Sequence, residues 1–586
     1  QARRLLDALR LGNASHAFDH LGEFGVQAEA AAKCGATVIY ASGIGGDGYG
    51  GIPATEEWQQ RLDAVRAYTK KAHDLGIPVV IGYLCATSIV GLEGFDKHWT
   101  PEFRAQFPTP PAQWLQVDAQ GKPLPSWYGG EYRPACMNNP IWRAYQKALI
   151  RFQLETGHDG IFYDNPTVHP EGCYCEHCMG RFARYVGNET NAEVPTDIAE
   201  LRECAAGQRA AFQRFRTTIA RDFLAEMREW ARTINPNALI TANNSTNSPG
   251  AIYSQCRLYG YSPYEMSRSE DFVVIEDMGS QPRTTDDGKV IEYGPTYKQL
   301  KALCHGKPLV VCTIADADYH TPPNLMRLAM AEAAANQATY LAWPCWPEEH
   351  RARLSAAVRT QNEFLRAHAH TFEQTTPRAD CNLFLPMRRW LDTEKCVVSD
   401  YAAQLTRENV QYTVFTEENF REHAQARNLV YESQKVLTAP EKKDLAASNA
   451  PQWPTDATPT WLRFVSEADA RRAVKIKDAP RVRAYVHDAE DATYVHLLNL
   501  DIRKRSSFED EVFPVRDLTL HVYLDVPVRT YGEGVQATPS LTAEVYTADE
   551  QTTRGSIGFT FDEKHRYATV KLPLLEVAAI LAFKIV

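Results

Sequence analysis

The sequence predicts an α/β protein built as a (β/α)8 barrel over residues 1–375, a small α/β domain over 376–478 and a C-terminal β-sandwich over 479–586. Three observations predict it. Short β-branched runs alternate with amphipathic helical stretches up to about residue 370, a pattern that belongs to a parallel sheet covered by helices. The texture then shortens, and from about residue 480 it becomes an alternation of period two without helical stretches, as in a sandwich. A chain of 586 residues is also too long for a single core.

The barrel strands are expected, in order, around SHAFDH (15–20), ATVIYAS (36–42), IPVVIGYL (77–84), GIFYDN (160–165), ALITANN (238–244), DFVVIED (271–277), KPLVVCTIA (307–315) and ATYLAWP (338–344). Eight such units fit a closed barrel. The rival open sheet would want a Gly-rich phosphate turn after its first strand, and none follows SHAFDH. Between strands lie helical stretches such as ATEEWQQRLDAVRAYTKKAHDLG, which ends in Gly76 where a helix C-cap prefers glycine. RAAFQRFRTTIARDFLAEMREWARTINP is a second, longer one. In the next domain CNLFLPMRRWL, SDYAAQLTREN, VQYTVFTEENF and a strand-like KVLTA form the α/β unit, and NAPQWPTDATPTW (449–461) reads as a connection. RVRAYVHD, TYVHLLNLD, DLTLHVYLD, LTAEVYTAD, IGFTFD and YATVKLP supply the strands of the sandwich.

Composition narrows the function. Hydrophobic residues at 44% and charged residues at 23% describe an ordinary globular protein. A net charge of -10 without any Lys/Arg-rich block argues against a nucleic-acid partner. The longest apolar runs are strand-sized, so no membrane span is expected. QARRLLDALRLGN has no apolar signal core, and most of the 13 cysteines read as reduced and buried. A cytoplasmic location is the expectation.

Polar residues cluster at the strand ends: Asp19 and His20, Asp164 and Asn165, Asn243 and Asn244, Glu276 and Asp277, Asp316 and Asp318, Trp343. Barrel enzymes assemble their sites from the C-terminal ends of several strands. Turn chemistry explains any one of these positions but not the whole set as readily. Cys173, Cys175 and Cys178 form a C-x-C-x2-C cluster. Tetrahedral Zn2+ takes four N or S ligands, and four-cysteine sites are structural. Cys136, in RPACMNNPIW, is the best fourth ligand, with His177 as a substitute.

The pairing of R-x-x-C-x-N-x-P (Arg133 to Pro140) with C-Y-C-x-x-C resembles the family 42 β-galactosidases. The resemblance implies a (β/α)8 barrel, a flavodoxin-like α/β domain and a small C-terminal β-domain, with structural zinc on Cys136, Cys173, Cys175 and Cys178. It implies Asn-Glu at the end of strand four, where this chain has Asn165 followed by Pro166. The family's nucleophile after strand seven has no counterpart in VVCTIADAD. Architecture carries over; the catalytic pair does not.

Glycoside cleavage needs two carboxyl groups flanking the scissile bond. Asp164 at the end of strand four is the first candidate, a position that also resembles the nucleophile of α-L-fucosidase-like barrels. Glu276 is the expected partner and general acid, since alternation sends Glu276 and Asp277 to opposite faces. Trp127 and Tyr128, Trp99, Tyr163, Trp343 and Trp346 are candidate sugar platforms, and Asn243, Asn244 and Asp316 candidate hydroxyl partners. ASGIGGDGYGG (41–51) lacks dinucleotide spacing and reads as an active-site loop.

The reading is an exo-acting glycoside hydrolase with structural zinc, no organic cofactor and a carbohydrate substrate; barrels of this domain order often form homo-oligomers. Three alternatives stand beside it. Asp19 with a histidine, and Arg133 clamping a substrate carboxylate, is similar to the family 156 sialidases. A non-catalytic carbohydrate-binding barrel would explain Pro166. A metal-dependent hydrolase would use Asp19, His20, Asp164 and Asp316 as ligands.

Overall fold

The structure, a computed structural model, describes residues 15–18, 26–41, 49–190, 195–245, 251–277, 282–313, 322–342, 348–388, 391, 397–467, 471–506, 509–526, 529–531, 535–537 and 540–585. Eight parallel strands close a barrel: β1 (His16–Phe18), β2 (Val38–Ala41), β3 (Val79–Cys85), β4 (Gly160–Asp164), β5 (Leu239–Ser245), β6 (Val273–Asp277), β7 (Leu309–Thr313) and β8 (Thr339–Ala342). Each pairs with its chain neighbours, and β8 returns to β1 through His16 opposite Leu341.

Side chains alternate across this wall, as period-two strands require. Val38, Tyr40, Val79, Ile81, Tyr83, Phe162, Leu239, Phe272, Val274, Val310 and Leu341 fill the interior. Ile161, Tyr163, Ile240 and Ala242 instead face the covering helices α1 (Pro140–Glu155) and α2 (Arg209–Ile234). The expected helix around residues 54–76 runs Thr55–Asp74, and Gly76 takes φ +88° while the next amide, Ile77 N, donates to Ala72 O at 3.1 Å. That arrangement satisfies the last carbonyls of the helix.

A four-stranded parallel sheet follows, in the order Tyr412–Phe415, Cys381–Phe384, Leu429–Tyr431, Gln452–Pro454. This is the 2-1-3-4 order of flavodoxin-like sheets. Two local expectations fail. The strand-like KVLTA is a turn leading into the helix Ala439–Ala446, because Thr438 and Glu441 close a reciprocal capping box. Within the expected connection 449–461, Gln452–Pro454 is an edge strand, a place where proline is tolerated.

The sandwich packs a six-stranded antiparallel sheet against a four-stranded one over a shared apolar core. Its sheets recruit Thr376–Pro377 and Val474–Lys477, which the periodicity reading places in the preceding domain. Both segments are too short to show a period. Barrel and sandwich are joined by buried ion pairs: Arg483 meets Glu292 at 2.8 and 3.0 Å, and Arg327 meets Asp549 at 2.6 Å. Among the described residues no helix is long and apolar enough to cross a membrane.

Candidate active site

Strand β4 delivers the central group. Phe162 points into the barrel, so Asp164, two residues on, shares that face at the strand's C-terminal end. Four neutral donors hold its carboxylate. Tyr49 OH donates to Oδ2 at 2.6 Å, Tyr83 OH at 2.5 Å and Asn165 Nδ2 at 3.0 Å. Asn243 Nδ2 donates to Oδ1 at 2.9 Å. Burial above all, with the Asp164 charge adding to it and Cys85 contributing at Tyr49, raises both phenols above the ordinary tyrosine range. They therefore remain donors at any pH the protein meets.

Asn165 is the turn residue that permits this geometry. It adopts φ +49°, a left-handed conformation that asparagine tolerates better than most residues. Ala86 N donates to Asp164 O at 2.8 Å and Thr87 Oγ1 to Asn165 O at 2.6 Å, fixing the backbone on both sides. The Asn165 side chain also receives Tyr128 OH on Oδ1 at 2.7 Å. Asn165 is thus buried beneath Tyr128 and acts on Asp164 and Tyr49 rather than lying open.

The same alternation orders the next two strands. Leu239 and Asn243 face inward on β5, as do Val274 and Glu276 on β6 and Phe272 just before it. One Asn243 amide nitrogen donates to both Asp164 Oδ1 and Glu276 Oε2. Two acceptors of one nitrogen lie no more than roughly 6 Å apart, twice a normal hydrogen-bond length. Strands β5 and β6 are held at their lower ends by side chains as well as by backbone. Ala242 N donates to Glu270 Oε1 at 2.9 Å and Ile240 N to Asp271 Oδ2 at 2.8 Å.

Several sequence candidates lie elsewhere. Asn244 points outward, where its amide meets Ala242 O and Val274 O at 3.2 Å, so it cannot bind substrate in the barrel mouth. Tyr163 is fully buried against Phe223 of α2, on the wrong face of β4 for a sugar platform. Trp99 is locked among Phe103, Trp114 and Tyr145 in an aromatic core. Trp127 sits at the mouth beside Tyr128. Arg133 lies on the short strand Tyr132–Pro134, and its Nη1 donates to Gly130 O and Tyr132 O at 3.0 and 2.8 Å. Asp19, His20, Asp316, Asp318, Trp343 and Trp346 fall outside the described residues.

Tyr49 and Tyr83 are site residues that sequence reasoning missed. For Tyr83 a signal exists: it is the inward position of a strand whose other inward residues are Val79 and Ile81. For Tyr49 the signal is the Gly-rich stretch 41–51, whose single aromatic it is, although its partner Asp164 lies 115 residues away.

The loop leaving Asp164 is braced twice. The Sγ atoms of Cys136, Cys173, Cys175 and Cys178 all lie within 4.8 Å of one another, and Cys136 is 3.5 Å from both Cys175 and Cys178. Four thiolates about 2.3 Å from a tetrahedral ion would be roughly 3.8 Å apart, so the set fits a metal. Asn138 supports it, donating from its backbone to Cys136 Sγ at 3.4 Å and from Nδ2 to Cys178 Sγ at 3.3 Å. His177 is not part of the set; its ring lies 3.5 Å from Glu176. The second brace is the buried Arg216 of α2, whose Nη2 donates to His169 O and Leu258 O at 2.8 Å and whose Nε reaches Gly172 O at 2.9 Å. One guanidinium thereby ties the loop after β4 to the helix Ala251–Tyr259 that follows β5.

No family profile and no curated protein matches the sequence. Solved structures do resemble the fold. The α-L-fucosidase isoenzyme 2 of Paenibacillus thiaminolyticus superposes with a TM-score of 0.63 at 13% identity, covering 98% of this chain and 100% of that one. A GH42 β-galactosidase from G. stearothermophilus gives 0.62 at 11% identity over 98% of each chain. The β-galactosidase of Bacillus circulans sp. alkalophilus gives 0.57 at 12%, covering 97% and 98%. The chain shares with these proteins one architecture from barrel to sandwich, with little of their sequence.

Proposed function

We propose that the protein is an exo-acting glycoside hydrolase in which Asp164 is the nucleophile and Glu276 the general acid and base. The observation that carries this reading is the single Asn243 amide donating to both carboxylates. It supports a spacing near the roughly 5–5.5 Å of retaining glycosidases, too short for the intervening water of the inverting ones. The architecture, shared with the fucosidase and the β-galactosidases, supports a carbohydrate substrate.

In this mechanism Asp164 Oδ1 attacks the anomeric carbon of a terminal sugar. The glycosidic bond breaks, its electron pair goes to the leaving oxygen, and that oxygen takes the proton of Glu276. Glu276 then removes a proton from water, whose oxygen displaces Asp164 and releases the sugar with its configuration retained. Oδ2, held by three donors, is the oxygen that stays still. The four-cysteine site takes zinc in this account. Held by Cys136, Cys173, Cys175 and Cys178, the ion would keep the loop after Asp164 in place, and a reacting group misplaced by about 1 Å can lose a hundredfold in rate.

The test is hydrolysis of 4-nitrophenyl glycosides spanning fucosides, galactosides, uronides and sialosides by the wild type and by Asp164→Ala and Glu276→Ala. At least one glycoside should be cleaved, and each substitution should cost several decades of kcat while circular dichroism stays unchanged. Near-normal turnover in both variants would remove the assignment. Metal analysis should return about one zinc per chain, as a single four-thiolate site requires.

A further inference from the structure

We infer that Tyr128 is a specificity residue for the leaving group, and that the substrate carries a ring directly beyond the sugar that is cleaved off. This rests on the hydrolase reading above and concerns the other side of the scissile bond. Tyr128 is one of four large apolar side chains that stay exposed among the described residues, at 55% of its full accessibility. An exposed aromatic ring so close to the carboxylate pair offers a flat apolar face to a ring of the substrate.

Its position is set by chemistry rather than by chance. The hydroxyl donates to Asn165 Oδ1 at 2.7 Å, and Asn165 Nδ2 donates to Asp164 Oδ2 at 3.0 Å. Tyr128 is therefore linked to Asp164 through the one side chain of Asn165, at the C-terminal end of β4. Trp127 and Tyr132 flank the ring at centroid distances of 5.7 and 5.5 Å, which keeps it from turning freely. Burial, and the Asp164 charge behind it, pushes the Tyr128 phenol up to about 12, so the pinning hydrogen bond persists through neutral pH.

An exo-acting site takes the terminal sugar at its floor and leaves the rest of the substrate in the opening. With Asp164 and Glu276 at the floor, what passes Tyr128 is the leaving group. A flat ring, aryl or pyranose, can lie against the exposed face; a leaving group without a ring gains nothing there.

The experiment compares two leaving groups on one sugar: the 4-nitrophenyl glycosides of the panel above and the matching glycosyl fluorides, whose leaving group has no ring. Tyr128→Ala should lose about tenfold more kcat/KM on the 4-nitrophenyl substrate than on the fluoride, the size of one aromatic contact. Tyr128→Phe, which keeps the ring and drops the hydroxyl, should restore most of that difference. Equal losses on both substrates in Tyr128→Ala would overturn this inference and leave the hydrolase reading standing. If the wild type cleaves neither series, the hydrolase reading falls and this inference with it.

Discussion

The barrel mouth and the seam between barrel and sandwich both hold carboxylates, half-buried at the mouth and buried at the seam, and they treat them in opposite ways. At the seam each acid faces a cation: Glu292 is gripped bidentately by Arg483 with both side chains less than a tenth exposed, and the fully buried Asp549 meets Arg327. Asp549 also accepts Val577 N at 2.9 Å and Thr552 Oγ1 at 2.7 Å. At the mouth the donors to Asp164 are two phenols and two amides, all neutral. A guanidinium cancels the charge it holds, whereas dipoles orient a carboxylate and leave its negative charge facing whatever enters. The seam is built for attachment and the mouth for reaction.

That contrast sets three expectations, the largest first. Glu292→Gln leaves Arg483 buried without its counterion, so it should cost about 3–5 kcal/mol of stability, read by denaturant unfolding. Its kcat per folded molecule should match the wild type. A large catalytic loss with little change in stability would break the contrast. Tyr83→Phe does the reverse at the mouth: removing one of the dipoles that orient the Asp164 carboxylate should lower kcat roughly tenfold to a hundredfold. The unfolding midpoint should move little, since the phenyl ring still fills the barrel interior.

The smallest expected effect concerns pH. Burial pushes Glu270, which stitches β5, and Glu332, which caps the helix Gly294–Leu303, up to about 8 from an ordinary 4.5. A raised carboxyl binds more protons folded than unfolded. Its contribution is therefore full below about pH 4.5 and is lost as pH rises through 8. Thermal stability should fall from pH 5 to 9, and Glu270→Gln should flatten part of that slope. A midpoint rising over this range in the wild type would contradict the placement of both acids.

Much of the fold is legible in the sequence because strands with buried faces must alternate. All eight barrel strands lie where the apolar runs put them, and the tight thiol spacing marks the brace after β4. The rule that separates Glu276 from Asp277 also separates Asn243 from Asn244 and Asp164 from Tyr163 once the inward register of each strand is known. Register is a property of the closed sheet, so sequence composition alone cannot choose between such neighbours. Tyr49 shows the harder limit. The Gly-rich stretch 41–51 marks its neighbourhood, but its partner lies 115 residues further along the chain and is brought to it only by closure of the barrel. KVLTA misleads in the opposite direction, since its apolar pair looks strand-like while Thr438 and Glu441 form a helix cap.

The account is tested most directly by trapping the covalent intermediate. The enzyme is incubated with the 2-deoxy-2-fluoro glycosyl fluoride of the sugar it cleaves, digested and mapped by mass spectrometry. One fluoroglycosyl group per chain is expected, on Asp164. An adduct on Glu276 or any other residue would contradict it.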